Sequence, residues 1–185
     1  MQKGDHYQSD RNRAEACAKG DRQAQRILFE QVKNAMFGVC LRFCDNRSDA
    51  EDLLQEGFIR VFNSIANYCG KGSLEAWIRT IFVRTGIEYY HRQKKRPEII
   101  DFEMVDIATN ELPDDFDPYD PDSVLALLQK LPPGFRTVLN LAVLEEKSHE
   151  EIGRELGISA STSRSQLTRA KEFLRKIIQK TLVFI

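Results

Sequence analysis

The sequence has no run approaching the roughly eighteen apolar residues that a membrane-spanning helix needs, and insertion into a membrane is not expected. Its first twenty residues, MQKGDHYQSDRNRAEACAKG, have no apolar core and no small-residue cleavage pattern. They therefore do not read as a secretory signal, and the expected location is the cytoplasm. Cysteine is scarce: Cys17, Cys40, Cys44 and Cys69 are scattered without a CxxC pair. Cys40 and Cys44 lie one helical turn apart, a spacing a metal can use, but the nearest histidines, His6 and His91, belong to other segments. Buried helix-face thiols in a reducing compartment are the expectation, with no metal and no cofactor. No strand-like alternation of convincing length and no internal repeat occurs.

A large excess of either charge is also missing, since 27 Lys and Arg face 28 Asp and Glu. A protein that coats DNA by charge alone is thereby excluded. The balance hides an asymmetry. Residues 1–97 carry 17 basic and 12 acidic side chains, residues 98–122 carry 10 acidic and no basic ones, and residues 123–185 carry 10 basic and 6 acidic. Two mildly basic blocks thus flank an acidic bridge, in a chain of 185 residues that is long enough for two small domains.

Helical periodicity dominates both blocks. Leu28, Val32, Ala35, Met36, Val39, Cys40 and Phe43 recur at spacings of three and four, predicting one long helix that Asp45-Asn46-Arg47 breaks. Ser48 and Glu51 have capping-box spacing for the next helix, through Leu53, Leu54, Phe58, Val61, Phe62 and Ile65. After the loop Tyr68-Cys69-Gly70-Lys71-Gly72-Ser73, Ser73 is the expected cap of a third helix through Leu74, Trp77, Ile78, Ile81 and Phe82 to His91. That helix ends in the basic run Arg92 to Arg96, where Pro97 stops it. Residues 98–122, with Pro113, Pro118 and Pro121, read as a tether. Asp122 or Ser123 is the expected cap of a short helix through Leu125, Leu128 and Leu131; a further helix carries Phe135, Val138, Leu139, Ala142 and Val143. Ser148 and Glu151 form a second capping box, Gly157 ends that helix, and a last one carries Leu167, Ala170, Leu174, Ile177 and Ile178 on one face.

The most specific segment is His149 to Lys171. A short helix, a glycine turn and a second capped helix allow two helices to cross closely, sealed by Ile152, Leu156, Ile158, Leu167 and Ala170. The second helix then presents Ser159, Ser161, Thr162, Arg164, Ser165, Gln166, Thr168, Arg169 and Lys171, with no carboxylate anywhere from Ser159 to Lys171. A solvated face usually mixes both charge signs. Arg reads guanine, Gln reads adenine, hydroxyls reach bases or phosphates, and a helix N-terminus attracts phosphate. This helix is expected to read duplex DNA.

In the first block, Asp52, Gln55, Glu56 and Arg60 can share a surface with Asp49 and Glu51 nearby, but pattern alone makes it only a solvated face. The third helix and its loop interleave Tyr68, Trp77, Tyr89, Tyr90 and His91 with Lys71, Arg79, Arg84, Arg92, Lys94 and Lys95. Rings that stack bases among cations that neutralise phosphates are the ingredients for holding single-stranded nucleic acid. Trp77 fits a core equally well, three residues from Leu74 and four from Ile81, whereas Tyr89, Tyr90 and the basic run are harder to place in one.

As a set these residues resemble an extracytoplasmic-function sigma factor of bacterial RNA polymerase, in the sigma-70 superfamily. The resemblance runs from Asp49-Ala50-Glu51-Asp52-Leu53-Leu54-Gln55-Glu56 with Phe58 and Phe62, through Trp77 and the acidic linker, to Leu131-Pro132 and Phe135-Arg136. It continues through Glu150-Glu151-Ile152-Gly153 and Leu156-Gly157-Ile158-Ser159 to Arg169-Ala170-Lys171, covering about residues 12 to 180. It implies an all-α chain of two small helical domains: region 2 over residues 12–97, an acidic linker over 98–122 and a region 4 helix-turn-helix over 123–182. It implies polymerase binding by Asp49, Glu51, Asp52, Gln55, Glu56 and Arg60. It implies contact with the melted −10 element by Tyr68, Lys71, Ser73, Trp77, Arg79, Arg84, Tyr89, Tyr90, Arg92, Lys94 and Lys95, and reading of the −35 element through Ser159 to Lys171. The implied partners are core RNA polymerase, promoter DNA and an anti-sigma factor, and the chain is not expected to be an enzyme. Two residues depart from the family pattern: Ser163 stands where valine is frequent, on the core face, where its hydroxyl is expected to bond back to a helix carbonyl. Gln166 replaces a frequent arginine.

Two other classes compete. A stand-alone helix-turn-helix regulator accounts for residues 123–180 and leaves the first block unexplained. A hydrolase using Asp114, Asp115, Asp117, Asp120 and Asp122 as a metal site lacks the glycine and closing glutamate of a calcium loop and any visible base or nucleophile.

Overall fold

The structure, a computed structural model, describes residues 3–94, 116–117 and 120–182. Its helical elements are α1 (Lys3–Ala18), α2 (Arg22–Phe43), α3 (Arg47–Ser64), α4 (Leu74–Lys94), α5 (Pro121–Gln129), α6 (Pro133–Leu139), α7 (His149–Leu156) and α8 (Ala160–Leu182). No strand occurs among the described residues. Lys95, Pro97 and most of the acidic bridge lie outside them. Contacts divide the chain into two compact units, Met1–Tyr89 and Tyr90–Ile185.

The first unit is built on the apolar stripe of α2. Leu28, Val32, Met36, Val39, Cys40 and Phe43 are buried, while Ala35, expected in that stripe, is exposed. From α3 come Leu53, Phe58 and Val61, and from α4 Leu74, Ile78, Phe82 and Val83. Phe58 lies at the centre, 4.6 Å from Phe29 and edge-on to Phe82 at 5.2 Å between ring centroids, a geometry that adds about 0.5–1.5 kcal/mol per pair beyond burial. Glycine permits this closeness: a Cβ on Gly57 would lie 2.2 Å from the Phe82 ring.

The helix starts correct two expected caps. The cap of α3 is Asn46, not Ser48: its side-chain oxygen accepts from the Asp49 N–H at 2.8 Å. Asn46 wins because the chain is extended there, leaving Ser48 already inside the first turn. The cap of α5 is Asp120, accepting from the Ser123 N–H at 2.8 Å, with Pro121 opening the helix. Asp122 is therefore helical and exposed. Ser73 does cap α4, accepting from the Ala76 N–H at 3.1 Å. An unforeseen partner joins it. Asp10 of α1, 3% exposed, accepts from the Leu74 N–H at 2.9 Å, satisfying a second helix-start donor.

The second unit packs Leu127, Leu131, Phe135 and Leu139 against Ala170, Phe173 and Ile177 of α8. The helix expected to run through Val143 changes character. It is α-helical to Leu139 and then makes a π turn over Asn140–Leu144, leaving Val143 49% and Leu144 39% exposed. The wider turn rotates those two side chains off the core-facing stripe, which explains the miscount. Arg136 is buried, and its guanidinium donates to the Gln129 carbonyl at 3.3 Å.

Cys17, Cys40 and Cys44 are buried, as the helical spacing implies, but Cys69 is exposed because it sits in the loop before α4. Burial pushes the Cys40 thiol up to about 12, which keeps it protonated and inert.

Candidate functional site

Two surfaces carry the residues singled out in the sequence. On α3, Asp52, Gln55 and Glu56 recur at spacings of three and four, with Ile59 completing the row. Asp52 and Gln55 are exposed, and Ile59 is 61% exposed, the most exposed large apolar side chain among the described residues. Sequence reasoning missed Ile59. Its signal was the i, i+3, i+4, i+7 row itself, which a soluble helix ordinarily keeps polar when it faces water.

Asp49, Glu51 and Arg60 sit differently. Asp49 is half-buried and accepts a 2.7 Å hydrogen bond from the Tyr89 hydroxyl. Arg60 donates to Glu56 at 2.6 Å on its own helix and pairs with Glu88 of α4 at 2.7 Å. These two side chains stitch α3 to α4. Glu51 is exposed and pairs with Arg47 at 2.9 Å, a surface pair that contributes little.

The loop before α4 is held by its own groups. Tyr68 is 6% exposed; its hydroxyl donates 2.7 Å to the Gly72 carbonyl, and its ring lies 5.9 Å from that of Trp77. Gly70 and Gly72 take positive φ, +76° and +81°, values that other residues adopt only with strain. Lys71 is exposed at the tip between them. Along α4 the remaining candidates divide between two faces. Trp77, Arg84 and Arg92 recur at seven and eight residues, with Glu88 in the same row; Arg79, Tyr90 and Lys94 recur at eleven and four along another. Tyr89 is buried, 9% exposed, so the expectation that it does not belong in a core is corrected. Its polar end is satisfied by Asp49, which is what allows a tyrosine there.

The second surface is the α7–α8 pair. The Ser148–Glu151 capping box is complete: Ser148 Oγ accepts from the Glu151 N–H at 3.2 Å, and the Glu151 carboxylate accepts from the Ser148 N–H at 2.9 Å. Those bonds, the Ser148 hydroxyl's foremost, hold the Glu151 carboxyl below its ordinary range. Gly157 ends α7 in the left-handed conformation at φ +66°. Ser159 caps α8, accepting from the Thr162 N–H at 2.9 Å. At Gly153 a Cβ would lie 2.7 Å from the Ile158 carbonyl oxygen, so the turn closes only over glycine.

α8 then projects Ser161, Thr162, Arg164, Ser165, Thr168, Arg169 and Lys171, all exposed, with Gln166 half-buried. Arg164 reaches Glu150 of α7 at 3.3 Å, in a pair exposed on both sides that contributes little to stability. The Thr168 hydroxyl returns to the Arg164 carbonyl at 3.1 Å. Ser163 corrects another expectation. It is fully buried, and its hydroxyl meets His149 Nδ1 at 2.9 Å, across the motif, with no bond back to its own helix.

Of the acidic residues weighed as a metal site, Asp120 is committed to capping α5 and Asp114 and Asp115 lie outside the described residues. Among the described residues no three His, Cys, Asp or Glu side chains gather as a metal would require, and no helix is long and apolar enough to cross a membrane.

Two compact helical units, one with an acid-rich helix face and one with a helix-turn-helix whose outer helix lacks acids over three turns, match known families in the same order. Residues 28–96 match sigma-70 region 2 and residues 122–174 match sigma-70 region 4. The chain belongs to the sigma-70 family, in its extracytoplasmic-function group, whose members act in transcription initiation. It is 34% identical over 181 residues to the ECF RNA polymerase sigma factor SigE of Mycolicibacterium smegmatis, covering 88% of this chain and 66% of that protein. It is 29% identical to the ECF RNA polymerase sigma-E factor of Haemophilus influenzae, covering 92% of this chain and 96% of the relative. Against SigW of Bacillus subtilis it is 28% identical, covering 90% and 95%. In fold it is similar to the sigma factor RpoE of Bartonella quintana, solved with the anti-sigma factor NepR, at a TM-score of 0.51 and 19% identity over 83% of this chain and 96% of that one.

Proposed function

We propose that this chain binds core RNA polymerase through the α3 row Asp52, Gln55, Glu56 and Ile59 and directs it to promoters that its second unit recognises. The observation carrying this reading is the presence, in one chain, of that acid-and-isoleucine face and of an α8 whose first three turns expose only hydroxyls, amides and cations. The first face suits a protein partner: an apolar anchor ringed by polar groups buries well, and the acids favour a basic surface. The second suits duplex DNA, with Arg164, Gln166 and Arg169 reading base edges and Ser161, Thr162 and Lys171 reaching phosphates.

In this reading residues 12–97 hold polymerase and engage the −10 element, residues 98–122 tether, and residues 123–182 read the −35 element. Lys71, Trp77, Arg84 and Arg92 are the groups of the loop and α4 that a melted strand would meet. Tyr68 and Ser73 hold the loop and the start of α4, and Asp49 with Tyr89 ties α4 to α3. The chain works in the cytoplasm without catalytic chemistry of its own, and an anti-sigma factor covers one or both surfaces when transcription is not required.

The test is size-exclusion co-migration with bacterial core RNA polymerase, for the native chain and for a variant carrying Asp52→Ala, Gln55→Ala and Glu56→Ala. Stoichiometric co-migration that the variant loses is expected. Failure of the native chain to co-migrate, with tight binding of the chain alone to a specific duplex, would replace this reading with a stand-alone regulator.

A further inference from the structure

We infer that His149 and Ser163 are a positioning pair that fixes how the DNA-facing turns of α8 sit on α7, and thereby sets how sharply the chain distinguishes one upstream duplex sequence from another. The inference rests on the proposed reading of duplex DNA by α8.

Among residues 160–167, the first two turns of α8, Ser163 alone is buried. It is therefore the deepest point of that stretch, with Leu167 packed partly buried against the core of the unit. Its hydroxyl meets Nδ1 of His149, the first residue of α7, at 2.9 Å. The motif has a second fixed point at its turn, where the Ile158 N–H donates to the Gly153 carbonyl at 3.0 Å and a Cβ on Gly153 would lie 3.4 Å from the backbone nitrogen of Ala160, the first residue of α8. Two anchors at opposite ends of the contact define a crossing angle; one alone leaves a hinge. Among the described residues the other side-chain polar link between the two helices, Arg164 to Glu150, is exposed at both ends and cannot do this work.

The chemistry of the anchor matters for what lies beside it. Thr162, Arg164, Ser165 and Gln166 flank Ser163 within one turn, so a rotation about Ser163 moves all four together. Hydrogen bonds to base edges weaken steeply as the donor angle falls, and bidentate reading by Arg or Gln tolerates little displacement. Packing of two apolar side chains is non-directional, whereas a hydrogen bond between a buried hydroxyl and a ring nitrogen imposes both a distance and an angle.

The test uses the full chain with core RNA polymerase and a set of promoter duplexes differing by single base pairs upstream. The readout is the ratio of cognate to mismatched binding, with thermal unfolding measured in parallel. Asn places its terminal amide where Nδ1 lies, and Gln places it near Nε2, so the two substitutions separate positioning from bulk. Ser163→Ala and His149→Gln are each expected to lower the ratio roughly threefold to tenfold, the worth of one hydrogen bond. The double variant should be no worse than either, because the two share one bond, and His149→Asn should keep most of the discrimination. Should Ser163→Ala unfold, the half-buried His149 carries the comparison through its Asn and Gln forms. An unchanged ratio in folded Ser163→Ala, equal losses for Asn and Gln, or multiplying effects in the double variant would overturn the pair. If Gln166→Ala and Arg169→Ala also leave binding to every duplex unchanged, α8 does not read DNA, and the underlying reading falls with the pair.

Discussion

The hydroxyl of Tyr89 on α4 donates a 2.7 Å hydrogen bond to the carboxylate of Asp49 in the first turn of α3. The same carboxylate accepts from the Asn46 side-chain amide at 3.2 Å, while Asn46 caps the helix through the Asp49 N–H. Asp49 is thus committed to holding the first unit together, whereas Asp52, three residues on, is exposed. Removing one partner of a bond to a charged group costs about 1.5–3 kcal/mol. Asp49→Ala or Tyr89→Phe should lower the denaturant midpoint of the first unit by a loss of that order while folded protein still binds polymerase. Asp52→Ala should weaken polymerase binding and leave the midpoint within error. Denaturation and co-migration measured on the same preparations check both.

Ile59 gives a sharper form of the same contrast. Exposed to 61%, it contributes little to the fold of the free chain. Ile59→Glu should therefore leave thermal unfolding nearly unchanged, while placing a charge in the proposed docking row. Loss of an apolar interface anchor costs about 2 kcal/mol or more, roughly a thirtyfold drop in affinity for core polymerase by titration.

Gly153 carries a prediction for the second unit. A Cβ there would lie 2.7 Å from the Ile158 carbonyl, which is backbone and cannot swing away as a side chain can. Gly153→Ala should destabilise the α7–α8 pair by about 1–3 kcal/mol and abolish duplex binding with polymerase binding retained. Gly38→Ala, where a Cβ meets nothing within 4 Å, is the matched control.

Acidity should act on the same pair through Glu151. The Ser148 hydroxyl and backbone N–H hold its carboxyl below the ordinary value of 4.5. A depressed folded value means the contribution is fully present above pH 4.5 and is lost as pH falls through the lower folded value. Glu151→Gln should therefore reduce the stability of the second unit near neutrality and flatten its fall in acid. Thermal midpoints at about pH 6 and about pH 3 would show the difference between variant and native narrowing.

Much of this architecture was legible in the residues because periodicity and caps are local. The stripe from Leu28 to Phe43, the Ser148–Glu151 box, the Gly157 stop and the exposed side of α8 all follow from spacing within one or two turns. What escaped depends on distant partners. Asp10 caps α4 from 64 residues away, and Tyr89 is a core residue only because Asp49 lies opposite it. The bond between His149 and Ser163 needs the two helices already crossed. The π turn at Asn140–Leu144 has no sequence signature in a window of ordinary 3.6-residue periodicity, so Val143 was placed inward when it faces out.

The central claim, that this chain confers promoter-directed initiation on core polymerase, is tested most directly by run-off transcription on a linear genomic DNA library with core enzyme alone and with core enzyme plus the chain. The account predicts discrete transcripts only when the chain is present, each start preceded by a common upstream duplex element, and their loss with the Asp52→Ala, Gln55→Ala, Glu56→Ala variant. Identical transcript patterns with and without the chain, in the presence of demonstrated binding to core enzyme, would contradict it.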